Sequence, residues 1–241
     1  MVITGAGGSL GSALAAHFAG DPDTDLVLSD VSAPSLEATV AGLPETSGEV
    51  ETVLADVSDG DQVEAVVAHA VDRFGRLDVL ISNAGVLAPN GRIHNLSTED
   101  WRRTFDINVL GAVNNIKAAV GVMRPQGSGS IVLTASVAGM TAWSHAAPYC
   151  ATKAAVIQLA KVAAVEYARD GIRVNCVCPG TFLSAIHEGL PQEAIDAMAA
   201  KHPLGLGAAG DLVGAYDYLA GESSRWTTGS AIVVDGGYAA P

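Results

Sequence analysis

Short apolar runs alternate with longer amphipathic stretches along the whole chain. Runs that are apolar at nearly every position are typical of parallel strands buried on both faces. Parallel strands need a long crossover connection, which a helix supplies. The pattern therefore predicts an α/β fold with a single, doubly wound parallel sheet of about seven strands and helices on both of its faces. The expected strands span 2–4, 26–29, 50–54, 79–82, 130–134, 173–177 and 231–234, and the expected helices span 9–19, 35–41, 62–74, 98–123, 148–169 and 211–220.

No internal repeat or linker divides the chain, and 241 residues can bury one large core. We therefore expect a single domain over residues 1–241. No apolar run approaches the roughly 18 residues of a membrane span, and the start lacks the basic region and cleavage pattern of a secretory signal. These features predict a cytoplasmic protein with no membrane partner. The net charge of -13 argues against nucleic acid as a partner, because its phosphates would be repelled. The same charge is also explained by solubility alone.

The three cysteines, Cys150, Cys176 and Cys178, do not form a disulfide framework. An odd number in such a chain indicates reduced thiols. Cys176 and Cys178 share one face of an expected strand, so a metal pair is conceivable. No further cysteine or histidine lies nearby at metal-ligand spacing. We therefore expect core packing for this pair, and no metal.

A glycine-rich stretch, Gly5 to Gly11, follows the first apolar run and precedes a helical pattern. Glycines let the main chain approach a pyrophosphate closely, and the following helix directs its N–H groups and positive dipole end at it. The order of strand, glycine turn and helix is typical of a Rossmann-type dinucleotide-binding domain. The alternative is an ordinary tight turn.

Asp30 ends the second expected strand, nineteen residues after Gly11. A carboxylate at this point can accept hydrogen bonds from both hydroxyls of an adenosine ribose and would repel a 2′-phosphate. No arginine or lysine follows in Val31-Ser32-Ala33 to bind that phosphate. The cofactor prediction is therefore NAD, with NADP less favoured. A solvated turn carboxylate is the alternative for Asp30.

Tyr149 and Lys153 lie four residues apart in an expected helix, with Ser136 upstream. This spacing places the phenol and the ammonium group on one face. A phenol has an ordinary pKa of about 10, and lowering it to about 7 takes roughly 4 kcal/mol. A desolvated lysine together with a bound cationic cofactor could supply that energy. The pair therefore indicates a general acid/base for an alcohol or a ketone, unless both residues are incidental.

Together these elements resemble the classical short-chain dehydrogenase/reductase family, and the resemblance covers nearly the whole chain. Thr4 to Gly11 is similar to its cofactor loop. Ser82-Asn83-Ala84-Gly85 is similar to the element that steadies its central sheet, and Asp235-Gly236-Gly237 to its carboxy-terminal signature. The family's catalytic tetrad is matched in order and spacing by Asn108, Ser136, Tyr149 and Lys153.

The resemblance implies a role for each of these four residues. Tyr149 exchanges the proton of the substrate oxygen, and Lys153 lowers the pKa of Tyr149 and binds the nicotinamide ribose. Ser136 holds the substrate oxygen, and Asn108 holds a water that links Lys153 to solvent. A water-facing Asn108 and an ordinary loop serine at 136 are the alternatives.

The resemblance also assigns the cofactor contacts, including an adenine contact after the third strand and a nicotinamide-binding segment near Pro179. The expected cofactor-binding residues are Gly5, Gly7, Ser9, Leu10, Gly11, Asp30, Asp56, Val57, Asn83, Ala84, Gly85, Tyr149, Lys153, Pro179, Gly180 and Ser184.

The chain departs from the family pattern at a few positions. Ser9 replaces the middle glycine of the cofactor loop, so the phosphate geometry of that loop is in doubt. Ser82 replaces an asparagine, and Ser184 replaces a threonine but keeps the hydroxyl. Only three residues precede Thr4, where the family has several more. We therefore expect that Met1 is not the native start and that the missing residues cost stability.

Three loops, 86–95, 137–147 and 181–202, are expected to build the substrate pocket. Trp143 could form a flat wall, which favours a hydrophobic secondary alcohol or a ring as substrate. Residues 181–202 resemble a mobile lid. His145, His94 and His187 lie on the same loops, and a polar substrate contact is conceivable for His145. The expected apolar lining is Val86, Leu87, Met140, Trp143, Phe182, Leu183 and Ile186.

The leading hypothesis is an NAD-dependent oxidoreductase that transfers hydride between the cofactor and a hydrophobic secondary alcohol or ketone. An NADPH-dependent 3-oxoacyl-acyl-carrier-protein reductase-like enzyme is the first alternative, but Asp30 and the acidity of the chain oppose it. A catalytically quiet NAD-binding sensor or assembly subunit is the second. The long helices 98–123 and 148–169 have surplus apolar surface, and in the family they pair between subunits. The resemblance therefore implies a homodimer or homotetramer, whereas the residues alone would also allow helices buried within a monomer.

Overall fold

The computed structural model describes residues 1–45, 48–184, 189 and 191–240. Seven parallel strands form the main sheet in the order β3-β2-β1-β4-β5-β6-β9. This confirms the predicted doubly wound parallel sheet. The strands are β1 (Val2–Thr4), β2 (Leu26–Asp30), β3 (Val50–Leu54), β4 (Val79–Ser82), β5 (Gly129–Thr134), β6 (Ile172–Pro179) and β9 (Ala231–Val234).

Helices cover both faces of the sheet, and each face has its own apolar core. Helices α3, α5 and α6 pack on one face, and helices α1, α2 and α8 pack on the other. The described helices are α1 (Ser9–Ala19), α2 (Ala33–Ala41), α3 (Gly60–Phe74), α4 (Thr98–Phe105), α5 (Gly111–Gln126), α6 (Ala147–Tyr167), α7 (Gln192–Ala199) and α8 (Ala209–Ala220).

The winding reverses beside β1, which pairs with β2 on one side and with β4 on the other. In a sheet of this kind the reversal leaves a crevice at the carboxyl ends of the strands, where ligands bind. Every connection that leaves a strand of the main sheet starts at that edge, because all of the strands run in the same direction. The fold therefore collects residues from distant parts of the sequence at one edge.

Two helices begin earlier than the sequence predicted, because side chains cap their first turns. Ser32 accepts a hydrogen bond from the Ser35 amide, so α2 starts at Ala33. Asp59 accepts from the amides of Asp61 and Gln62, so α3 starts at Gly60.

The expected helix 98–123 is interrupted by a π-helical turn over Asp106–Leu110, between α4 and α5. The expected helix 148–169 becomes α6 and a short 3₁₀ turn, Ala168–Asp170. The sequence analysis missed α7 and a small second sheet of β7 (Phe182–Leu183) and β8 (Gly207–Ala208). Two-residue strands are too short to show a periodic pattern.

Gly11 and Gly214 both lie inside helices but differ in surroundings. A Cβ atom on Gly11 would lie 2.1 Å from the Gly5 carbonyl oxygen, whereas a Cβ atom on Gly214 would meet nothing within 4 Å. We expect Gly11→Ala to lower the free energy of unfolding by about 1–3 kcal/mol through overpacking. We expect Gly214→Ala to raise it by up to about 1 kcal/mol, since alanine is the better helix former. Denaturant unfolding of both variants measures this, and equal stabilisation by the two would contradict the close packing at Gly11.

Candidate active site

The glycine-rich loop after β1 is fixed by close contact with α2 and with the residues that follow β4. Gly5 has a φ of +66°, and a Cβ atom there would lie 2.6 Å from Ala84 Cα. A Cβ atom on Gly7 would lie 2.5 Å from Ser35 Cβ. Helix α1 begins at Ser9, directly after this loop. The strand, turn and helix therefore form with serine in place of the family's glycine, and the main-chain N–H groups of the first helical turn are at the loop.

Asp30 lies at the end of β2, beside the glycine loop. Its Oδ2 atom accepts a hydrogen bond from the Gly7 amide at 3.0 Å, and its Oδ1 atom accepts from the Ser32 amide at 3.0 Å. The carboxylate is thus tied to the loop rather than freely solvated. No lysine or arginine occurs between residues 31 and 45.

Asp56 and Val57 follow β3 at the same edge. The Asp56 carboxylate accepts from the Ser58 amide at 2.9 Å and from the Ser58 hydroxyl at 2.7 Å. Val57 is buried, and a Cβ atom on Gly111 would lie 2.8 Å from Val57 Cγ2. The start of α5 therefore packs directly against this part of the edge.

A directed chain of hydrogen bonds crosses the edge from α8 to the glycine loop after β1. The Gly5 carbonyl can only accept, so the Asn83 amide group directs Nδ2 at it, at 3.0 Å. Asn83 Oδ1 then faces Thr134 and accepts from its hydroxyl at 3.2 Å. Because Thr134 has donated its only proton, the Tyr216 hydroxyl donates to Thr134 Oγ1, at 2.8 Å. The sequence analysis missed Thr134 and Tyr216, which no local pattern marks.

Ser82, the first residue of the predicted sheet-steadying element, also has a partner. The side chain of Asn115, buried in α5, donates to Ser82 Oγ at 3.2 Å and to the Gly111 carbonyl at 2.9 Å. The Asn115 side chain thus extends from α5 to reach the short Ser82 side chain on β4.

Lys153 lies one helical turn after Tyr149 in α6, as predicted. Its Nζ atom is 5.6 Å from the centre of the Tyr149 ring and donates to the Thr134 carbonyl at 2.8 Å. Lys153 is buried, with only 4% of its surface exposed to solvent. This desolvation lowers the pKa of Lys153 to about 8.

Burial dominates the electrostatics of Tyr149 in the free protein. Burial raises the pKa of its phenol above the ordinary value, and interaction with the Ser136 hydroxyl only partly opposes this. The lowering of the Tyr149 pKa predicted for Lys153 together with a bound cationic cofactor stays a prediction. Tyr149 is therefore a protonated phenol in the free protein.

Ser136 lies between the ends of two neighbouring strands. It follows β5, is 4% exposed, and directs its hydroxyl at the Pro179 carbonyl at the end of β6, at 3.5 Å. Its Oγ atom accepts from the Ala138 amide at 3.1 Å. It is thus held in the site rather than free on a loop.

Asn108 lies in the π-helical turn and is 3% exposed. Its side chain accepts from the Val86 amide at 2.8 Å and donates to the Val86 carbonyl at 3.0 Å and to Thr152 Oγ1 at 3.1 Å. A Cβ atom on Gly85 would lie 3.2 Å from Asn108 Oδ1 and 3.4 Å from Lys153 Nζ. Glycine at 85 therefore keeps open a small space that Asn108 and Lys153 share, and the alternative of a water-facing asparagine is wrong.

The segment after β6 packs against the carboxy-terminal turn. Gly180 donates its amide to the Val234 carbonyl at 2.9 Å, and a Cβ atom on it would lie 2.6 Å from Asp235 Cα. The Asp235 carboxylate accepts from the amides of Gly237 and Ala239 at 2.9 and 2.7 Å. Ser184 directly follows β7.

Trp143 forms a wall beside Tyr149, with ring centres 6.2 Å apart and planes 30° apart. Tyr238, which the sequence analysis did not include, packs edge-on against Trp143 at 6.1 Å.

His145 is exposed and has a φ of 68°, the only positive value among the described non-glycine residues. Of the other expected lining and loop residues, Ile186 and His187 lie outside the described residues, whereas Leu87, Met140, Leu183 and His94 are exposed.

The cysteines have structural contacts. Cys176 and Cys178 are buried in β6, which agrees with core packing, and the Cys150 thiol is directed at the Trp143 carbonyl at 3.9 Å. Within the part of the chain that the structure describes, no group of three or more acidic, histidine or cysteine side chains is arranged to hold a metal.

Comparison with known proteins places this geometry in a family. The family model described as enoyl-(acyl carrier protein) reductase matches residues 5–239. Cis-4-hydroxycyclohexanecarboxylate dehydrogenase of Sinomonas cyclohexanicum is 36% identical over 240 residues, which cover 99% of this chain and 96% of that protein. The 3-oxoacyl-[acyl-carrier-protein] reductase of Thermotoga maritima is 34% identical over 237 residues, which cover 98% and 96%.

Solved structures of other proteins match this chain over all or nearly all of its length. NAD⁺-bound xylitol dehydrogenase has a TM-score of 0.92 at 30% identity, and the match covers 98% of this chain and 97% of that one. ElxO with NADP bound has a TM-score of 0.93 at 29% identity, covering 100% and 98%. Among the described residues, each helix is either too short or too polar to span a bilayer. The chain belongs to the short-chain dehydrogenase/reductase family and is an oxidoreductase that acts on alcohol and carbonyl groups.

Proposed function

We propose that this protein is an NAD-dependent dehydrogenase that oxidises a hydrophobic secondary alcohol, including a cyclic one, and reduces the matching ketone. The observation that carries the proposal is the meeting of four side chains at the sheet edge beside the glycine loop. These are Asn108, Ser136, Tyr149 and Lys153. The cofactor preference for NAD favours oxidation, since cells keep most of their NAD oxidised.

The residues at the edge fit a nicotinamide dinucleotide. The close approach of Gly5 to the residues that follow β4, and of Gly7 to α2, leaves main-chain atoms, rather than side chains, at the start of α1. Such a helix start binds pyrophosphate. When bound, the nicotinamide supplies the hydride chemistry, which side chains cannot provide. The residues that would hold the dinucleotide are Gly5, Gly7, Ser9, Leu10, Gly11, Asp30, Asp56, Val57, Asn83, Ala84, Gly85, Tyr149, Lys153, Pro179, Gly180 and Ser184.

Asp30 supports NAD over NADP. Its carboxylate is tied to the glycine loop by Gly7, where it can accept from ribose hydroxyls and would repel a 2′-phosphate. The absence of a basic residue between 31 and 45 acts in the same direction. Membership of the family does not by itself decide between NAD and NADP, because the structure of xylitol dehydrogenase contains NAD⁺ and that of ElxO contains NADP.

Tyr149 takes the proton of the alcohol during oxidation and returns it to the ketone during reduction. Its raised pKa keeps the phenol protonated in the free protein. Acting as a base requires positive charge nearby, which Lys153 and a bound cationic nicotinamide supply. Ser136 is placed to hold the substrate oxygen and to stabilise charge that develops on it.

Lys153 and Asn108 border the space beside Gly85. A water held there by Asn108 would connect Lys153 to solvent and restore the proton that Tyr149 exchanges. Trp143 forms an apolar wall next to Tyr149. This wall suits the flat face of a ring, and the substrate of the Sinomonas relative is named as a cyclohexane derivative.

Domain organisation, oligomeric state, location and partners belong to the same proposal. The chain forms one domain that works as a homodimer or homotetramer in the cytoplasm, with no nucleic acid, membrane or metal partner. The net charge of -13 is consistent with the exclusion of polyanionic partners.

A reductase for acyl-carrier-protein substrates is the second candidate. The description of the matching family model and the Thermotoga relative favour it. The acidity of this chain opposes it, because an acidic carrier protein needs a basic docking surface. A catalytically quiet NAD-binding sensor or assembly subunit is the third candidate, and the four assembled side chains oppose it.

We expect Tyr149→Phe to lower the turnover of alcohol oxidation by about 10²–10⁴-fold, because the proton acceptor is lost. NADH binding, followed by tryptophan fluorescence, should be retained, since the other expected cofactor contacts are untouched. Tyr218→Phe is the matched control, since Tyr218 is an exposed tyrosine of α8. Full turnover in Tyr149→Phe would contradict the role of Tyr149 as the proton acceptor. If the unsubstituted protein showed no turnover but changed its binding to a partner when NADH was added, the sensor hypothesis would be favoured.

We expect Asp30→Asn to raise the ratio of NADPH affinity to NADH affinity at least about tenfold, because repulsion of the 2′-phosphate is removed. Titration with both reduced cofactors measures this ratio. Asp23→Asn makes the same charge change in an exposed loop and should leave the ratio unaltered. A preference of the unsubstituted protein for NADPH would move the acyl-carrier-protein reductase to first place.

The raised pKa of Tyr149 predicts a specific effect of cofactor binding. In the free protein the phenolate should form only above about pH 10, and bound NAD⁺ should move its formation to lower pH. The difference in tyrosinate absorbance between the unsubstituted protein and Tyr149→Phe isolates this titration. A Tyr149 titration already below pH 10 in the free protein would contradict the desolvation described above.

A further inference from the structure

His202 is a buried histidine that neither the sequence motifs nor the proposed catalytic set includes. It follows α7 by three residues and is 4% exposed. A buried polar side chain of this kind requires hydrogen-bond partners, and both of its ring nitrogens have one.

The two partners fix the state of the ring. Nδ1 lies 2.9 Å from the Met198 carbonyl, which can only accept, so Nδ1 carries the proton. Nε2 lies 3.2 Å from the Thr181 amide, which can only donate, so Nε2 is the acceptor. The ring therefore joins the end of α7 to the main chain of Thr181 as a neutral imidazole.

Thr181 is the residue between Gly180 and β7, inside the segment 179–184. Its carbonyl oxygen accepts from the Gly207 amide at 3.3 Å, so both of its main-chain polar groups are held by the stretch 202–207. Of these two bonds, only the one from His202 depends on a side chain. Substitution at residue 202 can therefore release the Thr181 amide without removing a main-chain bond.

A second set of contacts connects His202 to the catalytic tyrosine. Its ring centre is 4.7 Å from that of Tyr238, Tyr238 packs edge-on against Trp143, and Trp143 stacks on Tyr149. The carboxy-terminal turn that presents Tyr238 is bound to the same region, because the Leu204 amide donates to the Gly236 carbonyl at 3.0 Å.

We propose that His202 is a positioning residue that holds the Thr181 amide and thereby sets the shape of segment 179–184 for the nicotinamide end of the cofactor. The inference rests on the proposed function, since it assigns that segment to the nicotinamide. His202 touches neither substrate nor cofactor in this account. It acts through Thr181, and through Tyr238 it connects α7 with the wall beside Tyr149.

Three variants separate the two ring nitrogens. His202→Gln places an acceptor near the position of Nε2 and can keep the bond to Thr181. His202→Asn keeps a donor near the position of Nδ1 and can bond only the Met198 carbonyl. His202→Leu keeps apolar volume and removes both bonds. Gln192→Ala is the control for α7, because it removes only an exposed contact with Asp196.

The first readout is the exchange of the Thr181 amide hydrogen in the cofactor-free protein. We expect protection in the unsubstituted protein, in His202→Gln and in Gln192→Ala, and faster exchange in His202→Asn and His202→Leu. The second readout is NADH affinity. We expect His202→Asn and His202→Leu to weaken it about tenfold, the effect of leaving one main-chain amide without its acceptor, and His202→Gln to restore most of it.

The outcomes divide cleanly. Unchanged exchange and NADH affinity in all three variants would overturn the inference, as would a His202→Gln variant as impaired as His202→Leu. If His202→Asn and His202→Leu lost thermal stability but kept NADH affinity, the role would be structural only, and the inference would again be wrong. Failure of the unsubstituted protein to bind either reduced dinucleotide would instead overturn the proposed function, and with it the inference.

Discussion

The hydrogen-bond chain from Tyr216 to Gly5 is the interaction on which the rest of the site depends. Strands of a parallel sheet end at one edge, and their last polar groups need partners there. Thr134 meets this need twice, since its side chain joins Tyr216 to Asn83 and its carbonyl accepts from Lys153. The same chain of hydrogen bonds ends at the Gly5 carbonyl in the glycine loop. Lys153 and the glycine loop are therefore both held by hydrogen bonds that meet at Thr134.

Desolvation determines what this network can do chemically. It lowers the pKa of Lys153 to about 8 and raises that of Tyr149. Both groups are thus driven toward their neutral forms in the free protein. A bound cationic nicotinamide would reverse this for Tyr149 by favouring the phenolate. Tyr149 would thus become a base only with the dinucleotide in place, and it would take the alcohol proton in the complex where the nicotinamide would supply the hydride chemistry.

Much of the fold could be predicted from the sequence, because apolar runs and helical spacing are local signals. The glycine loop, Asp30 and the Tyr149–Lys153 pair are local for the same reason. Thr134, Tyr216, Tyr238 and His202 could not be found in this way, since each acquires its role from residues far away in the chain. The π-helical turn at Asn108 was missed because it keeps the helical pattern of its neighbours. The raised pKa of Tyr149 in the free protein could not be predicted, because burial is a property of the folded protein.

The central claim is that the assembled side chains and NAD together oxidise a secondary alcohol. The most direct test is the initial rate of NADH formation from NAD⁺ with a panel of cyclic and open-chain secondary alcohols. The same panel with NADP⁺ is measured in parallel. The account predicts alcohol-dependent reduction of NAD⁺, fastest with apolar ring alcohols and much slower with NADP⁺. Reduction of NADP⁺ alone, or of neither cofactor with any alcohol while 3-oxoacyl thioesters are reduced, would contradict it.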